Sequence, residues 1–380
     1  MKRHTFLKGA LTGALIVLLA AGLVSCSLLK SEESRKMELL ESLIDRYYIG
    51  EADAEDLTEG VYKGYIEGLR DPYSAYYDEE ETARMTESLS GEFGGVGALM
   101  SQDRETGVIT VLQVYEDSPA QKAGMQDGDV LYKVDGEDVS GRELTEVVNL
   151  VKGEKGTDVT LTLLRGDAGD EIELTVTRDT IEDQTVTYEM KEAGVGYIRV
   201  TEFDTVTYEQ YREALEDLEA QGMEKLVIDL RSNPGGNLET VCDMLDLMLP
   251  EGLIVYTEDK DGRREEYTSD AEHQFDKPLA VLVDGYSASA SEIFAGAIQD
   301  YGLGQIVGTR SYGKGVVQSI FDLKDGTSVK LTIAEYFTPK GRSIDGEGIT
   351  PDVEVEYVYD EADPQADNQL EKALEVLAQQ

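Results

Sequence analysis

The chain has 380 residues, 41% of them hydrophobic, enough to bury a substantial core in about two or three domains and to exclude a disordered protein. With 78 acidic against 34 basic residues the formal net charge is −44, so a phosphate backbone or an anionic membrane surface is repelled, which argues against nucleic-acid binding.

In chain order, Lys2, Arg3 and Lys8 precede an uncharged stretch over residues 9–29, the pattern of a secretory signal or a membrane anchor. Within it "LVSC" resembles a bacterial lipobox, in which Cys26 would become the lipidated first residue. The other reading is an uncleaved transmembrane helix, since 21 uncharged residues just span about 30 Å of hydrocarbon. Either places the remaining chain outside the cytoplasm, in a bacterial cell envelope, tethered by its N-terminus. The second cysteine, Cys242, has no partner for a disulfide framework and sits in an apolar helical pattern as a core thiol.

From residue 31 to 91 the chain reads as an acidic helical arm. Leu39, Leu40, Leu43, Ile44 and Tyr47 recur at helix spacing, and "GLRDPYSAYYDEEE" breaks at Pro72. A stripe too short to bury itself must pack on another domain or another chain, so a homodimer through this arm is expected. Residues 92–179 change to alternating strands with glycine punctuation: Val159, Leu161 and Leu163 share one face, as do Ile172, Leu174 and Val176, with the helical run "ELTEVVNLVKG" between the strands. Residues 180–360 alternate strands with helices, the texture of an α/β core. "TYEQYREALEDLEAQG" is expected to be a helix capped by Thr207 with Gln210 three residues on. "KLVIDL" and "PLAVLVD" read as buried strands, and residues 361–380 hold a last helix with a stripe at Leu370, Ala373, Leu374 and Leu377.

The chemistry lies where buried strands end. In "DGYSASASEIFAGAIQD" three serines precede a helix, and Ser289 has capping-box spacing to Glu292. The same strand-to-helix turn of small residues also presents a hydroxyl beside unpaired N–H groups, as an acyl-transfer nucleophile requires, although the glycines of a G-x-S-x-G elbow are absent. Ser287 and Ser291 read as small spacers. Histidine is scarce: His4 lies in the targeting segment and His273 in a charged loop, which argues strongly against a Ser-His-Asp triad. Lysine serves as a base only when desolvated. Lys314 stands between Gly313 and Gly315 before an apolar strand, with Val316 and Gln318 expected on its face, so that the Gln318 amide would hold the amine. "NPGG" at 233–236 forms a second strand-to-helix turn, and the two turns would face each other across a cleft.

Two family resemblances follow from these residues. "GEFGGVGALM" with "SPAQKAGMQDGDVLYKVDGEDV" resembles a PDZ domain, which implies that a peptide adds as a strand while the loop Gly94, Gly95, Val96, Gly97 holds its terminal carboxylate. "SASASEIFAGAIQD", "GKGVVQ", "LVIDLRSNPGGN", "VKLTIAEYFTPKGRSIDGEGITPDV" and "GLRDPYSAYY" are together similar to the carboxyl-terminal processing peptidases, the tail-specific serine proteases. That resemblance covers nearly everything after the anchor. It implies a multidomain α/β chain: a crotonase-like α/β protease core with a PDZ β domain inserted after an N-terminal helical arm. It also implies Ser289 as nucleophile, Lys314 as general base 25 residues on, and Gln318 as the positioning residue. The oxyanion hole would be made by the N–H groups of Gly235, or Gly236, and Ala290. No metal or cofactor is expected, and the partners are exported proteins with exposed C-terminal tails. Lys152-Gly153 departs from the arginine-glycine that often ends the PDZ helix in this family, which removes a bidentate contact. The alternatives are a catalytically silent PDZ scaffold and an acyl-CoA enzyme of the crotonase type; the second explains neither the PDZ pattern nor export.

Overall fold

The computed structural model describes residues 31–379 other than Asp167; His4 and the anchor segment with Cys26 lie outside the described residues. The described residues divide into two compact units, one ending at Arg70 and one beginning at Asp71. In the first, helix α1 (Glu32–Tyr47) begins at Ser31, which caps the Ser34 N–H, and α2 (Ala54–Glu67) begins at Asp53, which caps Glu55 and Asp56. Neither helix buries a residue: Leu39, Leu40, Leu43 and Tyr47 of α1 and Leu57, Val61 and Tyr65 of α2 are all exposed. Among the described residues no helix is long and apolar enough to cross a membrane.

The second unit opens with β1 (Ala75–Tyr77) and α3 (Glu79–Ser90), where Asp78 and Glu81 bond each other's backbone N–H. The β domain follows as β2 (Glu92–Gly95), β3 (Ala98–Gln102), β4 (Ile109–Val114), α4 (Pro119–Ala123), β5 (Val130–Val134), β6 (Glu137–Asp138), α5 (Leu144–Val151), β7 (Asp158–Arg165), β8 (Asp170–Thr177) and β9 (Asp179–Glu182). Its sheet runs β3-β4-β5-β7-β8, leaving β3 at an edge, while β2 and β9 pair apart from it. Val159, Leu161 and Leu163 point into the core with Val111, Val147 and Leu131, so the alternation read from the sequence faces inward as expected.

The α/β core comprises β10 (Val186–Lys191), β11 (Val195–Val200), α6 (Thr207–Ala220), β12 (Lys225–Asp229), α7 (Leu238–Asp246), β13 (Gly252–Asp259), β14 (Arg264–Ser269), β15 (Leu279–Val283), α8 (Ala290–Tyr301), β16 (Gln305–Gly308), β17 (Val316–Asp322), β18 (Ser328–Phe337), β19 (Val353–Glu354) and α9 (Asn368–Ala378). One sheet has the order β10-β11-β12-β15-β16-β19, parallel from β11 onward. The side-chain period of two separates its faces: Ile198, Ile228 and Val281 pack against α6, α7 and α8, and Val227, Ala280 and Leu282 pack against Ala373 and Leu377 of α9. This burial on both faces is why "KLVIDL" and "PLAVLVD" are unbroken apolar runs. Arg231 ties α9 to the sheet by bridging the fully buried Asp229 and the α9 cap Asp367 at 2.6 and 2.7 Å.

A second sheet, β1-β18-β13-β14, also takes β17 onto β18. Tyr76 pairs with Val329, so residues 71–91, read from the sequence as the end of the helical arm, divide from residues 31–70 and contribute a strand to this sheet. Thr207 is inside α6 rather than at its cap. Its hydroxyl accepts from the Asp204 N–H and bonds the Thr185 hydroxyl, and Gln210 accepts from the Thr185 and Val186 N–H groups, so the pair ties β10 to α6 instead of closing a capping box. Tertiary partners outcompeted the local cap.

Where the β domain joins the core, three carboxylates converge. Burial pushes Asp204 up to about 7, with the charges of Glu202 and Asp183 adding to it, and burial likewise raises Glu202 and Asp183. The Asp183 N–H donates to the Gly91 carbonyl at the end of α3, so this cluster sits at the joint. A carboxyl with a raised folded pKa binds more protons folded than unfolded, so stability falls as pH rises from about 4 to about 7. Asp204→Asn is therefore expected to leave the unfolding midpoint unchanged at pH 4 and to stabilise the chain by about 1–3 kcal/mol at pH 8, read by thermal unfolding at both pH values.

Candidate active site

Two strand-to-helix turns meet at the C-terminal ends of β12 and β15. The turn before α8 places Ser289 at φ 55°, ψ −113°, a backbone conformation that costs a non-glycine residue about 1–3 kcal/mol and that the surroundings must enforce. The stitches are specific. Ser287 Oγ donates to the Leu230 carbonyl (2.8 Å), Ser291 Oγ donates to the Asn233 carbonyl (3.0 Å), and the Ala288 N–H donates to the same Asn233 carbonyl (3.0 Å). Asp284 accepts from the N–H groups of Ser232, Tyr286 and Ser287. Ser287 and Ser291, fully buried, are thus cross-links between the turns rather than the plain spacers expected from the sequence.

The fully buried Glu292 carboxylate gathers the serine turn and the lysine loop. One oxygen accepts from the N–H groups of Ser289 and Lys314, both at 2.9 Å; the other accepts from Ser311 Oγ (2.6 Å) and the Gly313 N–H (2.7 Å). Tyr336 adds a second tie. Its hydroxyl donates to the Ser289 carbonyl at 3.1 Å and also bonds the Lys314 carbonyl, and burial pushes its pKa up, which keeps the donor protonated. Gly315 is obligatory for a different reason, because a Cβ there would strike the Asp345 backbone.

Ser289, Lys314 and Gln318 line one cavity of about 610 Å³ between α7, α8 and the β17-β18 hairpin. Burial pushes the Lys314 ammonium below the ordinary lysine range and the charge of Lys330 pushes the same way, against the opposing pull of Glu292 and Asp71. Lys314 Nζ lies 5.0 Å from the Tyr73 ring centroid and makes no hydrogen bond or ion pair among the described residues. Asp71 remains below the usual carboxylate range: burial opposes this, but hydrogen bonds from Ser74, Thr332 and the Tyr73 N–H, together with Lys314, outweigh it. Gln318 donates to Thr332 Oγ1 (3.3 Å) and to the Val316 carbonyl (3.4 Å), not to Lys314. A register shift between Val317 and Gln318 turns it toward Thr332, so the simple alternation Lys314, Val316, Gln318 does not hold the amine.

The backbone donors near Ser289 are unequal. The Gly235 N–H is taken by Asn233 Oδ1 at 2.8 Å, and Gly235 is buried against the serine turn, where a Cβ would lie 2.8 Å from both the Ala288 carbonyl and Ser289 Cβ. Its φ of 107° also excludes other residues. The N–H groups of Gly236 and Ala290 have no acceptor among the described residues, and both residues line the cavity with Ser289.

The β domain carries its own groove of about 230 Å³ between the edge strand β3 and α5. Gly95, Val96 and Gly97 line it with Leu99, Val148 and Val151. Gly94 does not. It belongs to β2, and its carbonyl accepts from the Gly153 N–H at 3.0 Å. Lys152 closes one end of the groove, 3.9 Å from the Phe93 ring centroid and paired with Glu87 of α3 at 2.5 Å. His273 is exposed in its loop, and burial pushes the Cys242 thiol up to about 12.

Sequence reasoning missed Glu292 as a hub, Tyr336, and the Asp71-Tyr73 wall beside the lysine. One signal was present: a glutamate followed by the apolar run Ile293–Ile298 is costly to bury unless paired.

A PDZ domain set before an S41-type α/β peptidase fold is the class these elements define. Three family models match the chain: Peptidase family S41 over residues 194–355, PDZ domain over 110–165, and Activating protease CtpB N-terminal domain over 24–82. The chain is 38% identical over 318 residues to a carboxy-terminal-processing protease of Bartonella bacilliformis, covering 81% of this chain and 72% of that protein. It is 37% identical over 310 residues to carboxy-terminal processing protease CtpA of Bacillus subtilis, covering 81% and 66%. The match to a CtpA-like serine protease of Staphylococcus epidermidis spans 65% of that relative's length. An S41 protease of Bacteroides fragilis NCTC 9343 shares the fold at 17% identity, with a TM-score of 0.52 over 83% of this chain and 90% of that one. The chain belongs to peptidase family S41, among the carboxy-terminal processing proteases.

Glu292→Gln retains one acceptor oxygen and turns an amide N–H₂ against the other pair of donors. It is expected to cost about 2–3 kcal/mol and to speed amide exchange at Gly313 and Lys314, measured by thermal unfolding and hydrogen exchange.

Proposed function

We infer that this chain is a serine endopeptidase that cleaves exported proteins whose C-terminal tails its PDZ domain has bound. The observation that carries the reading is the strained Ser289 turn joined through Glu292 to the desolvated Lys314 loop, in one cavity with two open N–H groups.

In this reading neutral Lys314 takes the Ser289 hydroxyl proton as Oγ attacks the scissile carbonyl. The N–H groups of Ala290 and Gly236 hold the oxyanion, with Gly236 favoured over Gly235 because Asn233 already occupies the Gly235 donor. The Lys314 ammonium then protonates the leaving amine, and the amine it regenerates activates the water that hydrolyses the acyl-enzyme. Proton transfer requires Nζ to come within about 2.6–3.2 Å of Oγ, so the lysine side chain swings away from Tyr73 when substrate is seated. Gln318 then steadies the amine from the same cavity wall.

The exposed edge of β3 beside α5 supports addition of a tail as an extra strand, with Val96 and Gly97 toward its carboxylate. The N-terminal pattern supports an enzyme outside the cytoplasm, held to the membrane at Cys26 or by an uncleaved helix. The uncovered apolar faces of α1 and α2 support a homodimer through the helical arm.

With an unstructured protein ending in an apolar tail as substrate, the wild-type chain is expected to cleave. Ser289→Ala and Lys314→Ala are expected to lose at least about 10³-fold in kcat. Cleavage that survives either change would sink the mechanism. A Ser289→Ala chain that still performs its cellular role would favour the PDZ scaffold instead. For the dimer, Leu43→Glu is expected to convert a two-subunit species to one on size-exclusion chromatography with light scattering; a wild type that already runs as a single chain would end that idea.

A further inference from the structure

Besides Lys314, one more lysine lines the catalytic cavity. Lys330 sits on β18, half-buried, with its Nζ 5.2 Å from the Tyr77 ring centroid. It forms no ion pair or hydrogen bond among the described residues, although acidic residues outnumber basic ones by more than two to one along the chain. Two ammonium groups without an ion-pair partner in one cleft repel each other, and the repulsion grows as the surroundings become less polar.

The β17-β18 pairing sets Lys330 on a wall of the cavity that Lys314 also lines. Gln318 lies opposite Thr332 and Ile320 opposite Lys330, and the Gln318 side chain reaches Thr332, so the faces carrying Gln318, Thr332 and Lys330 continue the cavity wall that begins at Lys314. The groups facing Lys314 come from every neighbouring element: Lys330 and Tyr336 from β18, Glu292 from α8, and Asp71 and Tyr73 from the turn before β1. Glu239 of α7 and Glu265 of β14 also line the cavity. Glu292 already accepts four hydrogen bonds and Asp71 accepts from Ser74 and Tyr73, so neither forms an ion pair with the lysines, although both charges still oppose the effect of Lys330 on Lys314.

We propose that Lys330 is a positioning residue for the base: its positive charge on the cavity wall opposes protonation of Lys314, the group that takes the Ser289 proton. This rests on the Ser289-Lys314 reading. Tyr77 attracts the Lys330 ammonium and anchors its charge at the cavity wall. The direction agrees with the charge of Lys330 acting with burial on Lys314.

The test uses the full chain and p-nitrophenyl acetate, a neutral ester that has no carboxylate for Lys330 to bind. The acid limb of kcat/KM for the ester reports the Lys314 titration. Removing the charge with Lys330→Met raises the Lys314 pKa, so the limb is expected to move up by about half to one pH unit. Activity below the limb then falls roughly three- to tenfold, and the rate returns to the wild-type plateau at high pH. Lys330→Arg is expected to keep the wild-type limb, and Lys330→Gln to repeat the Met result if Met perturbs packing. Added salt is expected to move the wild-type limb toward the Lys330→Met position, because the half-exposed charge is screened. An unmoved limb in both neutral variants overturns the proposal, and so does an equal loss at every pH. Lys314→Ala is the control for the parent reading. If it still turns over ester, the dyad itself is wrong; if it is inactive while Lys330→Met leaves the limb in place, only the role of Lys330 fails.

Discussion

A single buried carboxylate organises the site. Glu292 is enclosed on the first turn of α8 and accepts from the backbone at Ser289, Gly313 and Lys314 and from the Ser311 hydroxyl. Charge-assisted bonds of this kind are about twice as strong as neutral ones, and loss of a partner in so dry a place leaves donors unsatisfied. The carboxylate therefore holds Ser289 in a costly conformation and fixes the lysine loop against it. Tyr336 repeats the connection through carbonyls, so donors and acceptors of both segments are engaged from within the core.

The scaffold makes this tie possible by ending two adjacent parallel strands at the same level. β12 and β15 are neighbours in register, Asp229 opposite Leu282, so the turns that follow them emerge side by side. Asn233, Ser287, Ser291 and Asp284 then lock one turn to the other. Gly235 sits at their contact, where any side chain would collide with the serine segment. Ligand sites at the carboxyl ends of parallel strands follow from this geometry, because helix N-termini and their unpaired N–H groups gather there.

Electrostatics in the cleft run against the character of the whole chain. A protein with an excess of acid over base presents two lysines without an ion-pair partner in the cavity with Ser289, while at the β-domain joint it packs Asp183, Glu202 and Asp204 together. Both arrangements shift proton equilibria toward neutral groups. In one the lysine gives up its proton more readily than usual; in the other a carboxyl beside the joint at Gly91 holds its proton more tightly.

The sequence alone determined the strand-helix alternation and the inward faces of β7 and of the core strands, and it singled out the serine turn, the lysine loop and the glycine turn as candidates. These are visible because periodicity is local and because the residue types that acyl-transfer chemistry needs are few. It did not reveal that Glu292 caps more than its own helix, that Thr207 and Gln210 serve β10, that Gln318 faces Thr332, or that Gly236 rather than Gly235 keeps a free N–H. Each of these depends on which distant segment competes for a donor or acceptor, and that competition is settled only when the chain closes on itself. Only the tertiary structure decided how the Asp71-Tyr73 turn and Lys330 come to surround Lys314, since β1 reaches that wall by pairing with a strand near the other end of the sequence.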